Sequence, residues 1–305
     1  MQIYKKFTDM FPILTLLVGG LISCTPSGQG TAPVTPPSPS VPAGMLAADG
    51  NDEGTYALIT ASGYNYETPD KSGAHAQAPF RHIRQRFDVV LGKFVFDFYM
   101  HIDNDDDRGK ANVRDRQRNE IKTDAHSPSD MVAQKGETMH FSWKFRLPEG
   151  MQTTNKFAHV HQLKGLDNKE GTADISLPSV TFTCVSLSNG KQQFQVRFVP
   201  PTEQGSGNVY LAKTDLGAFL GQWVSVEETV TFDDNGSYKL LITRISDGKT
   251  LVSIDEKGLS LWRTGTTGMR PKWGLYRNFG TDRSLSYLLR DEVLSFADFW
   301  VEKKK

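Results

Sequence analysis

The stretch WVSVEETVTF (residues 223–232) runs through DDNG (233–236) into SYKLLIT (237–243), and it decides the fold class of this chain. Apolar and polar residues alternate in both arms, as they do in a β-strand that buries one face. DDNG supplies the Asp, Asn and Gly that tight hairpin turns favour. The stretch therefore predicts two antiparallel strands joined by a short turn.

Segments of the same character recur along the chain, at 94–102, 138–147, 193–199 and 294–301. They are rich in β-branched and aromatic residues, and Pro-, Gly- or Asn-containing turns separate them. Helical periodicity is weak, and only 81–90 and 215–220 could form short helices. The pattern predicts an all-β protein, a concanavalin A-like β-jelly roll of two antiparallel sheets. One sheet of such a sandwich can curve into a groove that holds a polymer.

The N-terminus carries processing signals. Lys5 and Lys6 precede an apolar run at 11–22 that is too short to span a membrane. The run ends in Leu-Ile-Ser-Cys24, which matches a bacterial lipobox. We expect residues 1–23 to be a lipoprotein signal peptide and Cys24 to take the lipid. The alternative is an ordinary secretory signal with a chance cysteine. The expected location is the bacterial cell envelope, on a lipid anchor that faces either the periplasm or the surface.

Residues 24–52 follow as a segment rich in Pro, Ser, Thr, Gly and Ala. Such a composition buries too little apolar surface to offset ordering, so we expect a flexible tether. No transmembrane segment is evident downstream. Residues 53–305 are then expected to form one β-jelly-roll domain, since all-β domains often reach this size.

Cys184 is the only cysteine left once Cys24 is lipidated, so no internal disulfide can form. It lies in a stretch that resembles a strand, at 179–185. We expect a buried structural thiol, because no catalytic-cysteine context surrounds it.

The formal net charge is zero, with 35 basic and 35 acidic residues, and it argues neither for nor against a polyanionic partner. The distribution is more informative, because basic residues crowd into 81–86 and 108–122. A local cationic surface suits an acidic polymer bound in a groove. A Gly-rich phosphate loop and a G-x-S-x-G nucleophile motif are absent from the sequence. We expect no nucleic-acid partner, and we expect a monomer.

Three short stretches carry side chains suited to one reaction. Alternation along a strand places their polar residues on shared faces. The groups are Arg118, Glu120 and Lys122; His159 and His161; and Lys272, Gly274, Tyr276 and Asn278. Cations that neutralise a carboxylate, an imidazole and a phenol are the groups that β-elimination on a uronic acid requires. The carboxylate is neutralised, a base removes the C5 proton, and an acid protonates the departing 4-oxygen.

Each stretch also has a purely structural interpretation. Arg118, Glu120 and Lys122 could form ion pairs on an exposed strand face. His159 and His161 could be half-buried histidines, or a zinc-binding pair, but no third ligand has clear spacing, and we expect no metal there. Tyr276 could be a packing residue, although Trp273 and Leu275 on the opposite face are the better core candidates.

Together, the stretches resemble motifs of the alginate lyases of polysaccharide lyase family 7 and of related glucuronan lyases and, more distantly, heparin lyase I. The family pattern is Arg-x-Glu-x-Arg, then Gln-Ile-His, then Lys-Ala-Gly-x-Tyr-x-Gln. The chain has RNEIK (118–122), HVH (159–161) and KWGLYRN (272–278), in the same order. Lys122, His159 and Asn278 replace the family's Arg, Gln and final Gln.

This resemblance implies catalytic roles for Arg118, His159, His161 and Tyr276. Arg118 would neutralise the carboxylate, and His159, in place of an amide, would have to donate a hydrogen bond. His161 would be the base or a carboxylate partner, and Tyr276 the acid or both acid and base.

The resemblance also implies residues that bind substrate. Lys272 and Asn278 would position the sugar. Lys122 and Glu120 are also expected at the substrate, and the alternation of charges on their strand indicates that Glu120 orients Arg118 and Lys122. The implied activity is β-elimination on a 1,4-linked uronic-acid polysaccharide.

Two other function classes compete with the lyase interpretation. A non-catalytic, lectin-like carbohydrate-binding module would need aromatic platforms but has no use for a His–Tyr proton relay. A glycoside hydrolase would need two carboxylates across one bond, and Glu120 has no evident partner in the sequence.

The acidic stretch 103–107 resembles a calcium loop, but its glycine, Gly109, is one place late and the closing glutamate is missing. A polar hairpin turn is the preferred interpretation, with a structural calcium ion as the alternative. We expect that no cofactor is required.

Overall fold

The computed structural model describes residues 44–71, 80–110, 112–204 and 207–304. The predicted signal peptide, Cys24 and most of the predicted tether lie outside these residues. The strands are β1 Met45–Leu46, β2 Asn65–Glu67, β3 Ile83–Asp88, β4 Lys93–Met100, β5 Arg116–Lys122, β6 Thr138–Arg146, β7 Ala158–Gly165, β8 Val180–Ser186, β9 Gln192–Phe198, β10 Val209–Asp215, β11 Trp223–Thr231, β12 Gly236–Arg244, β13 Thr250–Leu259, β14 Met269–Asn278 and β15 Glu292–Lys303.

The strands form two antiparallel sheets. The eight-stranded back sheet has the order β13-β12-β11-β6-β15-β4-β3, with β1 added beside β15. The seven-stranded front sheet has the order β10-β9-β8-β7-β14-β5-β2. The predicted all-β jelly roll is therefore confirmed.

The hairpin predicted from 223–243 forms β11 and β12, which pair from Val224 opposite Arg244 to Thr231 opposite Ser237. Its alternation places Val224, Val226 and Val230 in the core, where none of them is exposed. The same period that suggested the strands thus turns one face of the back sheet toward the front sheet.

The core lies between the two sheets. Trp143 of β6 packs against Trp273 of β14 with ring centroids 5.6 Å apart. Trp273 and Leu275 are fully buried, as predicted. Cys184 is a buried free thiol, also as predicted, and burial raises its pKa well above the ordinary value. A thiol in this setting contributes packing rather than reactivity.

Helical structure is sparse, and the described α-helix, α1, spans the seven residues Thr55–Ala61. Among the described residues, no helix has the length and apolarity to cross a membrane. The predicted helix at 215–220 appears as the short 3₁₀ helix Leu216–Ala218. The predicted helix at 81–90 is wrong, because Ile83–Asp88 pairs with β4 as an edge strand and buries Ile83 and Gln85 on one face.

The predicted tether extends too far toward the domain. Residues 44–52 belong to the folded part: β1 pairs with β15, and Leu46 is buried in the core. The carbonyl oxygen of Gly44 accepts a hydrogen bond from the Tyr64 hydroxyl at 2.6 Å. The tether prediction is wrong for this portion, because the short apolar pair Met45–Leu46 pairs with the part of β15 that lies beyond its pairing with β4.

Candidate active site

The outer face of the front sheet brings two of the three stretches together. β5 and β14 are neighbours, with Lys122 opposite Lys272, Glu120 opposite Gly274 and Arg118 opposite Tyr276. Because residues directly opposite share a face of a sheet, these side chains lie on one surface. The alternation within each stretch predicted this placement.

The third stretch behaves differently, because β7 contains a β-bulge at Val160. His159 pairs with Thr183 and His161 with Phe182, so Val160 has no partner on β8. The extra residue reverses the alternation, and both Val160 and His161 point into the core. The prediction that His159 and His161 share a face is wrong. Because they point to opposite faces of the sheet, they cannot bind one zinc ion together.

His161 is fully buried between the sheets. Its Nε2 lies 3.0 Å from a carboxylate oxygen of Glu228, and its Nδ1 lies 2.9 Å from the carbonyl oxygen of Lys272. Glu228 also accepts a hydrogen bond from the Tyr238 hydroxyl at 2.7 Å. His161 therefore links β14 to the back sheet and does not reach the outer face.

The bulge continues on β14, where Gly274 and Leu275 stand between the residues paired with His161 and His159. Gly274 has a φ of 141°, a conformation that side chains rarely adopt. A Cβ there would overlap the carbonyl oxygen of Asn119 and lie 2.7 Å from the Cα of Glu120. Glycine is thus required for β14 to approach β5 beside Tyr276.

A carboxylate network lies beneath this surface. Glu67 of β2 accepts hydrogen bonds from Lys272 at 2.6 Å and Lys122 at 2.9 Å. Glu120 accepts from Lys272 and from Arg118, both at 2.6 Å. Burial opposes ionisation, yet Lys272 and Arg118 lower the pKa of Glu120 to about 2 and hold the pKa of Glu67 far below its usual range. Both carboxylates are therefore charged, and they neutralise the cations around them.

Tyr276 is held by two arginines. Arg116 donates a hydrogen bond to its hydroxyl oxygen at 2.8 Å, and the Arg118 guanidinium carbon lies 3.6 Å from the ring centroid. Burial raises the pKa of Tyr276, although Arg118 and Arg116 oppose that rise. The phenol is thus protonated at neutral pH, with two cations placed to stabilise a phenolate.

His159 lies on the same surface, with its ring centroid 6.1 Å from that of Tyr276. It stacks on Phe157 at 4.4 Å, and its Nδ1 lies 2.8 Å from the hydroxyl of Thr183. Burial and the nearby Arg197 lower the pKa of His159 to about 3. The imidazole is therefore neutral at physiological pH, and it is a weaker base than a free imidazole.

A cleft of about 270 Å³ opens over β14, β7, β8 and β9, and Tyr276 and His159 line it. Glu120 and Lys272 are almost fully buried beneath this surface. Asn278 lines an adjoining depression, where its amide donates to Asp115 at 2.9 Å. Of the residues expected to act in catalysis, Tyr276 and His159 therefore face the cleft, Arg118 lies behind the Tyr276 ring, and His161 lies in the core.

The acidic turn at 103–107 joins this framework. Asp107 binds the Arg118 guanidinium at 2.7 Å, and Asp105 lies 2.9 Å from Nε2 of His82. Hydrogen bonds to Asp105 and Asp70 raise the pKa of His82 to about 9 against the effect of burial. The turn therefore positions Arg118 through protein ion pairs, and the calcium alternative stays a prediction.

Sequence reasoning misses several site residues. Arg116 carried a usable signal, because it has the same strand parity as Arg118. Gln162, whose amide donates to Glu120, faces outward only because of the bulge. Glu67 sits on a three-residue strand that is too short to show any period. Its place in the network comes from pairing with Glu120 across the sheet.

Comparisons with known proteins bear on the family and on the fold. The family model described as "Polysaccharide lyase" matches residues 75–293. The alginate lyase of family 14 from Aplysia kurodai is similar in structure, with a TM-score of 0.56 and 11% identity over 85% of this chain and 98% of that one. A family 7 alginate lyase, A1-II', solved with its product, matches with a TM-score of 0.52 and 15% identity over 85% and 100%.

At such identities these likenesses bear on the fold alone. No curated protein matches this chain in sequence. The family model, by contrast, spans well over half of the chain. This protein therefore belongs to the polysaccharide lyase family, and it is an enzyme of that class.

Proposed function

We propose that this lyase cleaves a 1,4-linked polysaccharide of uronic acids by β-elimination and leaves an unsaturated sugar at the new non-reducing end. One observation carries the proposal: a protonated phenol and a neutral imidazole face the same cleft, with rings 6.1 Å apart. β-Elimination needs one acid and one base in those resting states.

Neutral His159 accepts the C5 proton, and the electrons of the C5–H bond form the C4–C5 double bond. The C4–O4 bond breaks, and the departing oxygen takes the proton of Tyr276. Arg116 and Arg118 stabilise the phenolate that results, since one binds its oxygen and the other lies against its ring. Solvent then returns the proton to Tyr276 and removes the one on His159.

Arg118 acts in this scheme through Tyr276 rather than on the substrate. Two carboxylates, those of Asp107 and Glu120, already bind its guanidinium. Gln162 supports the same site from β7, where it lines the cleft and its amide donates a hydrogen bond to Glu120.

The polymer is proposed to be alginate, glucuronan or a similar polyuronate. The family 7 motif resemblance supports this choice, and so does the cationic outer face of the front sheet. The test is a panel of defined polymers, including neutral ones, with product formation followed by the ultraviolet absorbance of the unsaturated sugar. Activity confined to neutral polymers would contradict the proposal.

We also propose that the enzyme needs no cofactor, because the acid, the base and the groups that support them are all side chains. Dialysis against a chelator should leave the turnover rate unchanged. A loss of turnover that calcium restores would instead support a metal ion at the acidic turn.

The lipobox supports the proposal that Cys24 anchors the enzyme in the bacterial cell envelope. Cys24→Ala should release the protein from membranes and preserve its activity on soluble polymer. If the variant still fractionated with membranes, the anchor proposal would fail while the lyase activity stood.

A further inference from the structure

The cations of the front sheet fall into two groups. Arg118, Lys122 and Lys272 each form ion pairs with Glu67, Glu120 or both. Lys164 and Arg197 form no ion pair with any carboxylate among the described residues. The first group is therefore neutralised within the protein, whereas no described carboxylate pairs with the second.

Lys164 and Arg197 both line the cleft that contains His159 and Tyr276. Lys164 lies on β7, two residues beyond Gln162. Arg197 lies on β9, opposite Thr181, which itself pairs with Gln162. Adjacent strands lie about 4.8 Å apart, so the two cations flank the cleft from strands about 10 Å apart. Along the strands, both cations lie on the same side of His159, toward the Gln162 end of the cleft, where they would meet a polymer that extends that way from His159.

The surroundings of Lys164 make its charge costly in the free enzyme. The ammonium has no hydrogen-bond partner among the described residues, and its side chain is largely buried. Burial lowers the pKa of Lys164 to about 7, together with the charges of Lys272, Arg118 and Arg270, which Glu120 only partly offsets. A bound anion would remove this penalty.

Arg197 is held ready in a different way. Its Nε donates to the Gln195 side chain at 2.8 Å, and its guanidinium lies 5.7 Å from the ring centroid of Tyr210. These contacts orient the guanidinium without cancelling its charge. Its terminal nitrogens have no recorded partner among the described residues, and such nitrogens bind carboxylates well.

We propose that Lys164 and Arg197 form the carboxylate-binding site of the cleft and select a polyanionic chain by gripping the uronate groups beside the cleaved bond. The proposal rests on the proposed function and names the residues that give it specificity. It moves carboxylate recognition from Arg118 and Lys122, whose charges are already paired, to two residues outside the family motifs.

The test compares Lys164→Met and Arg197→Met with wild type on a polyuronate. Charge-assisted contacts of this kind are expected to raise KM by about 10- to 100-fold each. The kcat of Lys164→Met should change by no more than about threefold, since Lys164 transfers no proton. Arg197→Met also removes a charge that lowers the pKa of His159, so its kcat is not part of this comparison. Lys191→Met, which removes an exposed charge in the turn between β8 and β9, is the matched control and should leave KM unchanged.

A pH profile separates charge recognition from a general packing defect. The contribution of Lys164 is present below its pKa of about 7 and is lost as the pH rises through that value. The kcat/KM of wild type should therefore decline above about pH 7. Lys164→Arg keeps its charge at every pH, so it should restore binding and remove this decline.

The outcomes distinguish this proposal from the proposed function. Unchanged KM in both Met variants, with activity intact, would overturn the site and leave the lyase assignment standing. If wild type cleaves no polyuronate, binding still tests the site. The Tyr276→Phe protein should migrate more slowly in an electrophoresis gel that contains polyuronate. This slowing should disappear when Lys164→Met is added to the same protein and when the gel contains carboxyl-reduced polymer instead. If a Met variant does not fold, the Gln variants replace it.

Discussion

The two sides of β7 use the same residue type for opposite purposes. His159 faces the cleft beside Tyr276 and stays neutral, whereas His161, two residues later, bridges the sheets through Glu228. Both imidazoles are well buried, so burial alone does not mark the functional one. The hydrogen-bond partners distinguish the two. His159 contacts a hydroxyl and faces the open cleft, whereas His161 contacts a buried carboxylate and a backbone carbonyl. Substitutions on the two sides should therefore affect different quantities.

The largest effect is expected on the cleft side, at Tyr276. Tyr276→Phe keeps the ring against Arg118 but removes the proton donor, and general acid catalysis contributes about 10²- to 10⁴-fold. We expect kcat to fall by that factor with little change in the midpoint of thermal unfolding. Tyr210→Phe, which alters an exposed tyrosine of β10, is the control and should retain full turnover. Near-normal turnover in Tyr276→Phe would remove this residue from the mechanism.

On the core side, His161→Ala should lower stability. The change leaves the buried Glu228 carboxylate without its imidazole partner, and breaking such pairs costs about 3–5 kcal/mol. The free energy of unfolding in denaturant measures it. His140→Ala removes a comparable contact with the half-exposed Glu227, and about 1 kcal/mol or less is expected there. If His161→Ala were as stable as wild type but inactive, the division between the two sides of β7 would be wrong.

Gly274→Ala tests the bulge that creates this division. A positive φ and the contact with Asn119 make any side chain unfavourable, and strained backbone conformations cost about 1–3 kcal/mol. We expect lower stability together with reduced kcat, because Tyr276 lies two residues away. Gly248→Ala has a positive φ but open space around the glycine, so it should cost less and spare activity. Equal losses of stability at both sites would show that the close approach to β5 is unimportant.

The smallest effect is a pH dependence of stability. Glu67 and Glu120 have pKa values lowered by Lys272 and Arg118, so their stabilisation is complete above about pH 4.5. It should be lost progressively as the pH falls toward about 2, the pKa of Glu120. Unfolding free energies measured between pH 6 and pH 3 should show the decline, and Glu67→Gln should flatten it. A flat wild-type profile would contradict the charged network.

The sequence predicts those parts of the molecule that depend on local periodicity. The hairpin at 223–243 follows from its own alternation and turn, and the shared face of Arg118 and Tyr276 follows from parity within regular strands. The bulge at Val160 does not, since it depends on how β8 and β14 align beside β7. The role of Glu67 cannot be predicted from local sequence either, because it arises from pairing between segments that are distant in the chain.

The family motifs locate the site only in part. At His161 the motif spacing is kept, while the backbone turns the side chain inward. Arg116 and Arg197 lie outside the motifs but on the outward parity of their strands, so a list of the outward-facing cations of the predicted sheet would include them. Lys164, like Gln162, faces outward only because of the bulge, and regular alternation would place it inward.

The isolation of Cys184 offers a practical opportunity. Its thiol is buried in the core, and Cys184 is the one cysteine among the described residues. Thiol-labelling reagents should therefore not react with it in the folded protein. With Cys24 replaced by alanine, Asn208→Cys would place a single reactive thiol on the exposed rim of the cleft. A fluorophore attached there would report the arrival and departure of polymer in real time, without any change to the residues that transfer protons.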